Sequence, residues 1–154
     1  MITCLAHLTV HVVDQDRAKA FYLDKLGFEL RSDREIDGRR WITVGPPMQP
    51  LTSITLAALP EMSGAETLLL RGLIERGKFG AGVLQTADIH AGYAILNQRA
   101  VSCTPPTERP YGTEVLFQDD SGYWWSMVQP RPAATWSPPE EPAAPPPDSD
   151  HTTP

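Results

Sequence analysis

The sequence has few of the features that mark a secreted, membrane-spanning or nucleic-acid-binding protein. Its two cysteines, Cys4 and Cys103, cannot build a disulfide framework, and they form no Cys-x-x-Cys motif. No apolar run approaches the roughly 18 residues of a membrane span. The 13 Lys and Arg against 19 Asp and Glu leave a formal charge of −6, without the positive surplus that phosphate binding requires. The first residues do not resemble a secretion signal. We therefore expect a cytoplasmic protein that binds neither nucleic acid nor a membrane.

Proline is unevenly distributed along the chain. Eight of the 16 prolines lie in residues 131–154, where Trp136 is the one large apolar side chain. Proline lacks an amide hydrogen and favours extended backbone. The pattern predicts a folded domain over 4–130 and a disordered Pro-rich tail over 131–154, whose role stays open.

The first part of the domain, residues 4–60, has a β-α-β-β-β pattern. A strand over 5–13 alternates, with Leu8, Val10 and Val12 on one face and the polar side chains of His7, Thr9 and His11 on the other. Asp14 is a helix N-cap and Gly27 a helix stop. The remaining strands are predicted at 28–31, 39–45 and 52–59.

Residues 79–130 repeat that pattern. Strands are predicted at 80–86, 101–104, 113–118 and 123–129, and a helix over 89–99 follows the N-cap Asp88. Asp88 follows Asp14 by the same number of residues as Val115 follows Trp41. Neither half could bury its sheet alone. We therefore predict an α+β fold of two paired βαβββ modules.

A linker helix is predicted over 63–77, between the two modules. Ser63 and Glu66 have the spacing of a capping box. A helical apolar stripe follows, formed by Leu69, Leu70, Leu73 and Ile74. We interpret this helix as a packing element.

Two segments carry a family resemblance. Residues 20–30 read AFYLDKLGFEL and residues 111–125 read YGTEVLFQDDSGYWW. Together they resemble the vicinal oxygen chelate superfamily, which includes glyoxalase I, extradiol dioxygenases and bleomycin-resistance proteins. The resemblance implies a cupped, barrel-like mixed sheet around a cleft, and a homodimer. The hairpin departs from the superfamily's Asp-Pro-x-Gly-Asn pattern, and pairing of modules within one chain or across the dimer stays open.

The metal ligands of the superfamily do not carry over well. The resemblance assigns the four ligand positions to His7, Leu56, Ala81 and Ser126. A divalent ion needs several nitrogen or oxygen donors at one point, and these residues offer one imidazole and one weak hydroxyl. His11 lies about 13 Å from His7 along the strand, too far to share an ion. Glu114 and Asp88 are additional ligands only if the register differs, so we expect no metal cofactor.

Two functional hypotheses follow from the polar face of the cup. Trp124 and Ser126 alternate onto one face of the last strand, and indoles suit a flat or cationic ligand. The predicted ligand-binding residues are His7, Thr9, His11, Leu56, Gln85, Trp124 and Ser126, with Ile54 and Val83 beside them. The first hypothesis is metal-free binding of a small organic molecule or antibiotic, as the resemblance to bleomycin-resistance proteins implies. The alternative is a metal-dependent lyase or dioxygenase in which His7 ligates a divalent ion; no catalytic residue is assigned, and whether the protein is an enzyme stays open.

Overall fold

The computed structural model describes residues 1–2 and 4–132 of the chain. The first module contains β1 (His7–Val12), α1 (Gln15–Ala20) with a π-helical turn (Phe21–Lys25), β2 (Glu29–Ile36), β3 (Arg39–Gly45) and β4 (Ser53–Ala58). The linker helix is α2 (Gly64–Glu75). The second module contains β5 (Gly80–Gln85), α3 (Ile89–Gln98), β6 (Thr107–Arg109), β7 (Gly112–Gln118) and β8 (Trp124–Pro130). The prediction for the Pro-rich tail falls almost entirely outside the described residues.

Each module folds into one four-stranded sheet, and the two sheets have the same topology. The strand orders are β1-β4-β3-β2 and β5-β8-β7-β6. In each sheet the first and last strands of the module pair in parallel, and the other neighbours are antiparallel. The sheets are cupped and do not close. The predicted α+β fold of two βαβββ modules is confirmed.

The helices begin and end where the sequence predicts. The carboxylates of Asp14 and Asp88 each accept hydrogen bonds from the backbone amides two and three residues further on, at 2.9–3.0 Å. Gly27 has a φ of 72°, the left-handed conformation that ends the first helix. Ser63 and Glu66 form the predicted capping box at the start of α2. No helix among the described residues is long and apolar enough to span a membrane.

The two sheets share one hydrophobic core. Its fully buried side chains include Val12, Ile42 and Leu56 from the first sheet and Phe117 and Trp125 from the second. The sheet faces that carry these residues therefore lie on the inside of the molecule. The opposite, more polar faces are left available for function.

Two equivalent residues join the modules on the helix side. Lys25 and Arg99 are 74 residues apart, and each side chain donates to the backbone carbonyl oxygen of the other. The Leu8 side chain of β1 also lies close to Gly82 of β5, its counterpart in the repeat. The modules are thus related by an approximate internal two-fold axis.

A buried polar network fixes α1 against the hairpin between β7 and β8. The Tyr22 hydroxyl donates to Asp119 Oδ2 at 2.9 Å and accepts from Trp125 Nε1 at 3.0 Å. Asp119 Oδ1 accepts the backbone amides of the hairpin loop, including those of Ser121 and Gly122. Burial raises the pKa of the Asp119 carboxyl above its ordinary value, although these hydrogen bonds oppose the rise.

Two predictions about strands are wrong. The strand predicted at 28–31 runs instead to Ile36, because a tight turn at Asp37 and Gly38, with φ of 50° and 72°, pairs it with β3 along its length. The strand predicted at 101–104 is reduced to a single bridge at Cys103, and β6 starts only at Thr107. Two prolines at 105 and 106 separate them and cannot donate to a sheet.

The apolar stripe of the linker helix is also only partly correct. Ile74 is fully buried, but Leu69 is exposed, as is its neighbour Leu68. The helix therefore packs through the end that leads into the second module.

Candidate functional site

The face of the first sheet that points away from the core carries a set of polar and aromatic side chains, which we call the first polar face. The pairing register places Thr9 of β1 beside Thr55 of β4, and Thr55 beside Thr43 of β3. Side chains alternate along a strand, so residues two positions away point the same way. The first polar face consists of His7, Thr9, His11, Trp41, Thr43 and Thr55.

This face has a buried hydroxyl floor and an exposed aromatic rim. The rings of His7 and Trp41 meet edge to face, with centroids 6.4 Å apart. Trp41 is 38% exposed, whereas Thr55 is 1% exposed. The Thr55 Oγ1 atom is buried and has no hydrogen-bond partner among the described residues. The predicted sharing of one polar face by His7, Thr9 and His11 agrees with this register.

The outer face of the second sheet forms the second polar face. Val83 of β5 pairs with Ser126 of β8, and Gln85 pairs with Val128. On the same face, Glu114 of β7 lies opposite Val128. The second polar face consists of Val83, Gln85, Glu114, Trp124, Ser126 and Val128.

Glu114 is held as a paired carboxylate on the second polar face. Ser126 Oγ donates to Glu114 Oε1 at 2.6 Å, and Arg109 Nε donates to Oε2 at 3.0 Å. The hydrogen bond from Ser126 lowers the pKa of the Glu114 carboxyl most; Arg109 and Tyr111 lower it further, and partial desolvation opposes them. The sequence analysis named Glu114 only as an additional metal ligand if the register differs, and did not predict its pairing with Ser126 and Arg109.

The placement of Leu56 and Ile54 in the cup is wrong. Leu56 is 0% exposed and pairs with Val10 and Ile42, so it belongs to the core. Its neighbour Thr55 occupies the polar face instead. Because side chains alternate, an error of one residue in aligning the modules moves a side chain to the opposite face.

The same error affects the equivalence of Trp41 and Val115. Val115 is fully buried, whereas Trp41 lies on the first polar face. In the pairing register, Trp41 lies two residues before the β3 partner of Thr55. Glu114 likewise lies two residues before the β7 partner of Ser126. The structural counterpart of Trp41 is therefore Glu114.

The described residues bring the predicted site residues together in two groups. His7, Thr9 and His11 lie on the first polar face, and Gln85, Trp124 and Ser126 lie on the second. Within residues 1–2 and 4–132, no hydrogen bond joins the two faces. In the same part of the chain, no three His, Cys, Asp or Glu side chains cluster as metal ligands would. The residues present therefore do not fit the superfamily's metal site.

Two cavities open beside these faces. One, of about 630 Å³, lies at the end of the first polar face and is lined in part by His11, Trp41 and Ala57. The other, of about 690 Å³, lies where the β3–β4 loop of the first module meets β5 and α3 of the second, and its walls include Val83 and Gln85. Both volumes are in the range of small-molecule sites.

Paired βαβββ modules, with cupped sheets that present polar faces, define a glyoxalase-like protein. Residues 5–127 match the Glyoxalase/Bleomycin resistance protein/Dioxygenase superfamily, and the chain belongs to this superfamily. The predicted relationship to the vicinal oxygen chelate proteins is thus confirmed.

Several relatives share nearly their whole length with this chain. UcmS2 is 44% identical, with a TM-score of 0.79 over 83% of this chain and 98% of its own. TnmS3, an antibiotic binding protein from Streptomyces sp. CB03234, is 30% identical, with a TM-score of 0.70 over 84% and 98%. The Bacillus subtilis protein YurT is 32% identical over 79% of this chain and 94% of its own.

Proposed function

We propose that this protein binds a small organic molecule, of the kind represented by antibiotics, on its polar faces and without a metal ion. The observation that carries the proposal is that each face sets a tryptophan, Trp41 or Trp124, beside neutral hydroxyl, amide or imidazole groups. Similarity to TnmS3, an antibiotic binding protein, supports it.

The chemistry of the two faces suits recognition of a flat molecule. An indole offers a large apolar plane for stacking, at a small cost in side-chain entropy. Hydroxyl and amide groups such as those of Ser126 and Gln85 orient a ligand through hydrogen bonds. We propose His7, Thr9, His11, Gln85, Trp124 and Ser126 as ligand contacts, and we add Trp41.

The alternative, a metal-dependent lyase or dioxygenase, has weaker support. His7 would be the ligand, but no second strong donor stands near it on the first polar face. Glu114 already accepts hydrogen bonds from Ser126 and Arg109, so a metal would have to displace both. A divalent site needs at least three protein donors.

We further propose that a homodimer completes the binding site. A bound drug-sized ligand is usually 70–90% buried. On the single chain Val83 is 70% exposed, and His7 and His11 are exposed as well. A second copy of the chain would cover such a ligand. Sedimentation equilibrium is expected to give twice the chain mass at micromolar concentration; a monomer throughout would contradict the dimer.

A ligand screen tests the binding function. Aromatic, peptidic and cationic antibiotics are titrated while thermal unfolding and tryptophan fluorescence are followed, because a ligand that binds the native state raises the melting temperature. We expect saturable stabilisation by at least one class, weakened at least about tenfold by Trp124→Leu through loss of stacking. The matched control is Leu68→Ala on the exposed side of α2.

Two results would contradict the proposal. The first is the absence of stabilisation by any compound. The second is a stoichiometric metal in protein purified without a histidine tag, lost in the His7→Ala variant, which would favour the metal-dependent alternative.

A further inference from the structure

The first polar face ends in two arginines, Arg34 and Arg39. Arg34 of β2 pairs in register with Trp41, and Arg39 lies two residues before Trp41 on β3, so the register places both side chains on the side of the indole. Neither guanidinium forms a salt bridge with any residue in 1–2 and 4–132. Arg40, on the opposite face, is bound by Asp33 and Asp16.

A cleft brings one of these arginines next to aromatic and imidazole groups. The cavity of about 630 Å³ is lined by His11, Arg39, Arg40 and Trp41, and by residues of β4 and the loop after it. Among the described residues that line it, Glu61 is the single carboxylate. Arg40 also lines the cleft but is already paired with Asp33 and Asp16, so Arg39 is the guanidinium left to bind a ligand.

The second module has a carboxylate at the position equivalent to Trp41, and there a neighbouring arginine is paired. There Glu114 occupies the position equivalent to Trp41 and is paired with Arg109 at 3.0 Å. In the first module an indole replaces the carboxylate, and the neighbouring arginines keep their charge. An unpaired guanidinium beside an aromatic wall is suited to a planar acid, because it binds carboxylate or sulfonate oxygens through two parallel hydrogen bonds.

We propose that the cleft beside Trp41 binds the acidic group of an aromatic ligand, with Arg39 as the counter-ion, Trp41 as the stacking surface and His11 as a further hydrogen-bond donor. This inference rests on the proposed small-molecule binding and names the ligand class: an aromatic acid. Arg34 adds positive potential without lining the cleft.

A pair of dyes with one aromatic skeleton tests the proposal. 8-Anilinonaphthalene-1-sulfonate carries an acidic group, and N-phenyl-1-naphthylamine lacks it; both are titrated by fluorescence at low ionic strength. We expect Arg39→Gln to weaken binding of the sulfonate about five- to tenfold, the effect of one charge-assisted contact, and to leave the neutral dye unchanged. Trp41→Leu should weaken the binding of both dyes. Arg71→Gln, on the exposed side of α2, is the matched control and should change neither.

The outcomes separate this inference from the function on which it rests. The acidic subsite is wrong if Arg39→Gln changes the affinity for both dyes equally or for neither. It is also wrong if Trp41→Leu does not change the affinity for the sulfonate. In these cases, saturable binding of the neutral dye still supports a small-molecule site. If the wild-type protein binds neither dye, both proposals fail. Circular dichroism of each variant establishes that the fold is retained.

Discussion

Two hydroxyl groups at equivalent positions on the polar faces have different surroundings. Ser126 donates to Glu114 and holds it as an anion, whereas Thr55 Oγ1 is buried and finds no partner in the part of the chain that the structure describes. The difference comes from the facing strand, where the second sheet has Glu114 and the first has Trp41. One face therefore carries a neutralised ion pair and the other an aromatic wall. Under the proposed function, this asymmetry would let the two halves of the internal repeat contact different parts of one ligand.

Substitution of Ser126 tests the electrostatic part of this argument. Ser126→Ala removes the hydrogen bond that lowers the pKa of Glu114 most, so this pKa should rise towards its ordinary value of 4.5. Because the pKa is lowered in the native state, ionised Glu114 favours folding above pH 4.5, and this contribution is lost as the pH falls through the native pKa. In Ser126→Ala this contribution should be smaller, and its loss should be complete at a higher pH.

Carbon-13 NMR titration of the side-chain carboxyl groups measures this pKa directly. Thr55→Val is the matched control, since it removes the equivalent hydroxyl from the other sheet and should leave the Glu114 titration unchanged. An unshifted Glu114 titration in Ser126→Ala would mean that Arg109 and Tyr111 alone set its charge.

At the scale of elements, the sequence predicts most of the architecture but not the sheet register. Strands and helices follow from alternation and from caps such as Asp14 and Asp88, which act over a few residues. Register depends on which strands pair and on loop lengths, and a slip of one residue exchanges the two faces. For this reason the sequence predicts Leu56 in the cup in place of Thr55, and aligns Trp41 with a core valine. The ion pair at Glu114 could not be predicted for the same reason, since the partners of Glu114 come from two other strands.

The junction between α1 and the β7–β8 hairpin provides a prediction about an element. Tyr22→Phe removes a hydroxyl that donates to Asp119 and accepts from Trp125, and it leaves both buried groups short of a partner. Such a loss typically costs about 1–3 kcal/mol. Urea unfolding should show a lower midpoint with an unchanged slope.

The matched control for this substitution is Tyr93→Phe on α3, a half-buried tyrosine whose hydroxyl forms no hydrogen bond within the described residues. Equal stability of the two variants would show that the buried network contributes nothing beyond ring packing.

At the scale of the whole molecule, the two modules share one core, and we expect them to unfold as one cooperative unit. Their inner faces contribute to a single core, and the reciprocal contacts of Lys25 and Arg99 join the helix ends across the internal two-fold axis. A module taken alone would expose its inner sheet face to water. A binding site built from the two polar faces therefore depends on a core that holds both sheets together.

Hydrogen exchange combined with one core substitution tests this coupling. Leu56 is 0% exposed in the first sheet, and Leu56→Ala should destabilise the protein by about 2–5 kcal/mol through lost contacts and a residual cavity. If the core is cooperative, the most protected amides of β7 and β8, in the other module, should lose as much opening free energy as those of β3 and β4. Leu68→Ala, at a site 72% exposed on α2, is the control and should change neither set. Protection lost in β3 and β4 but kept in β7 and β8 would show instead that the modules unfold separately, and that the relative position of the two polar faces is not fixed by the core.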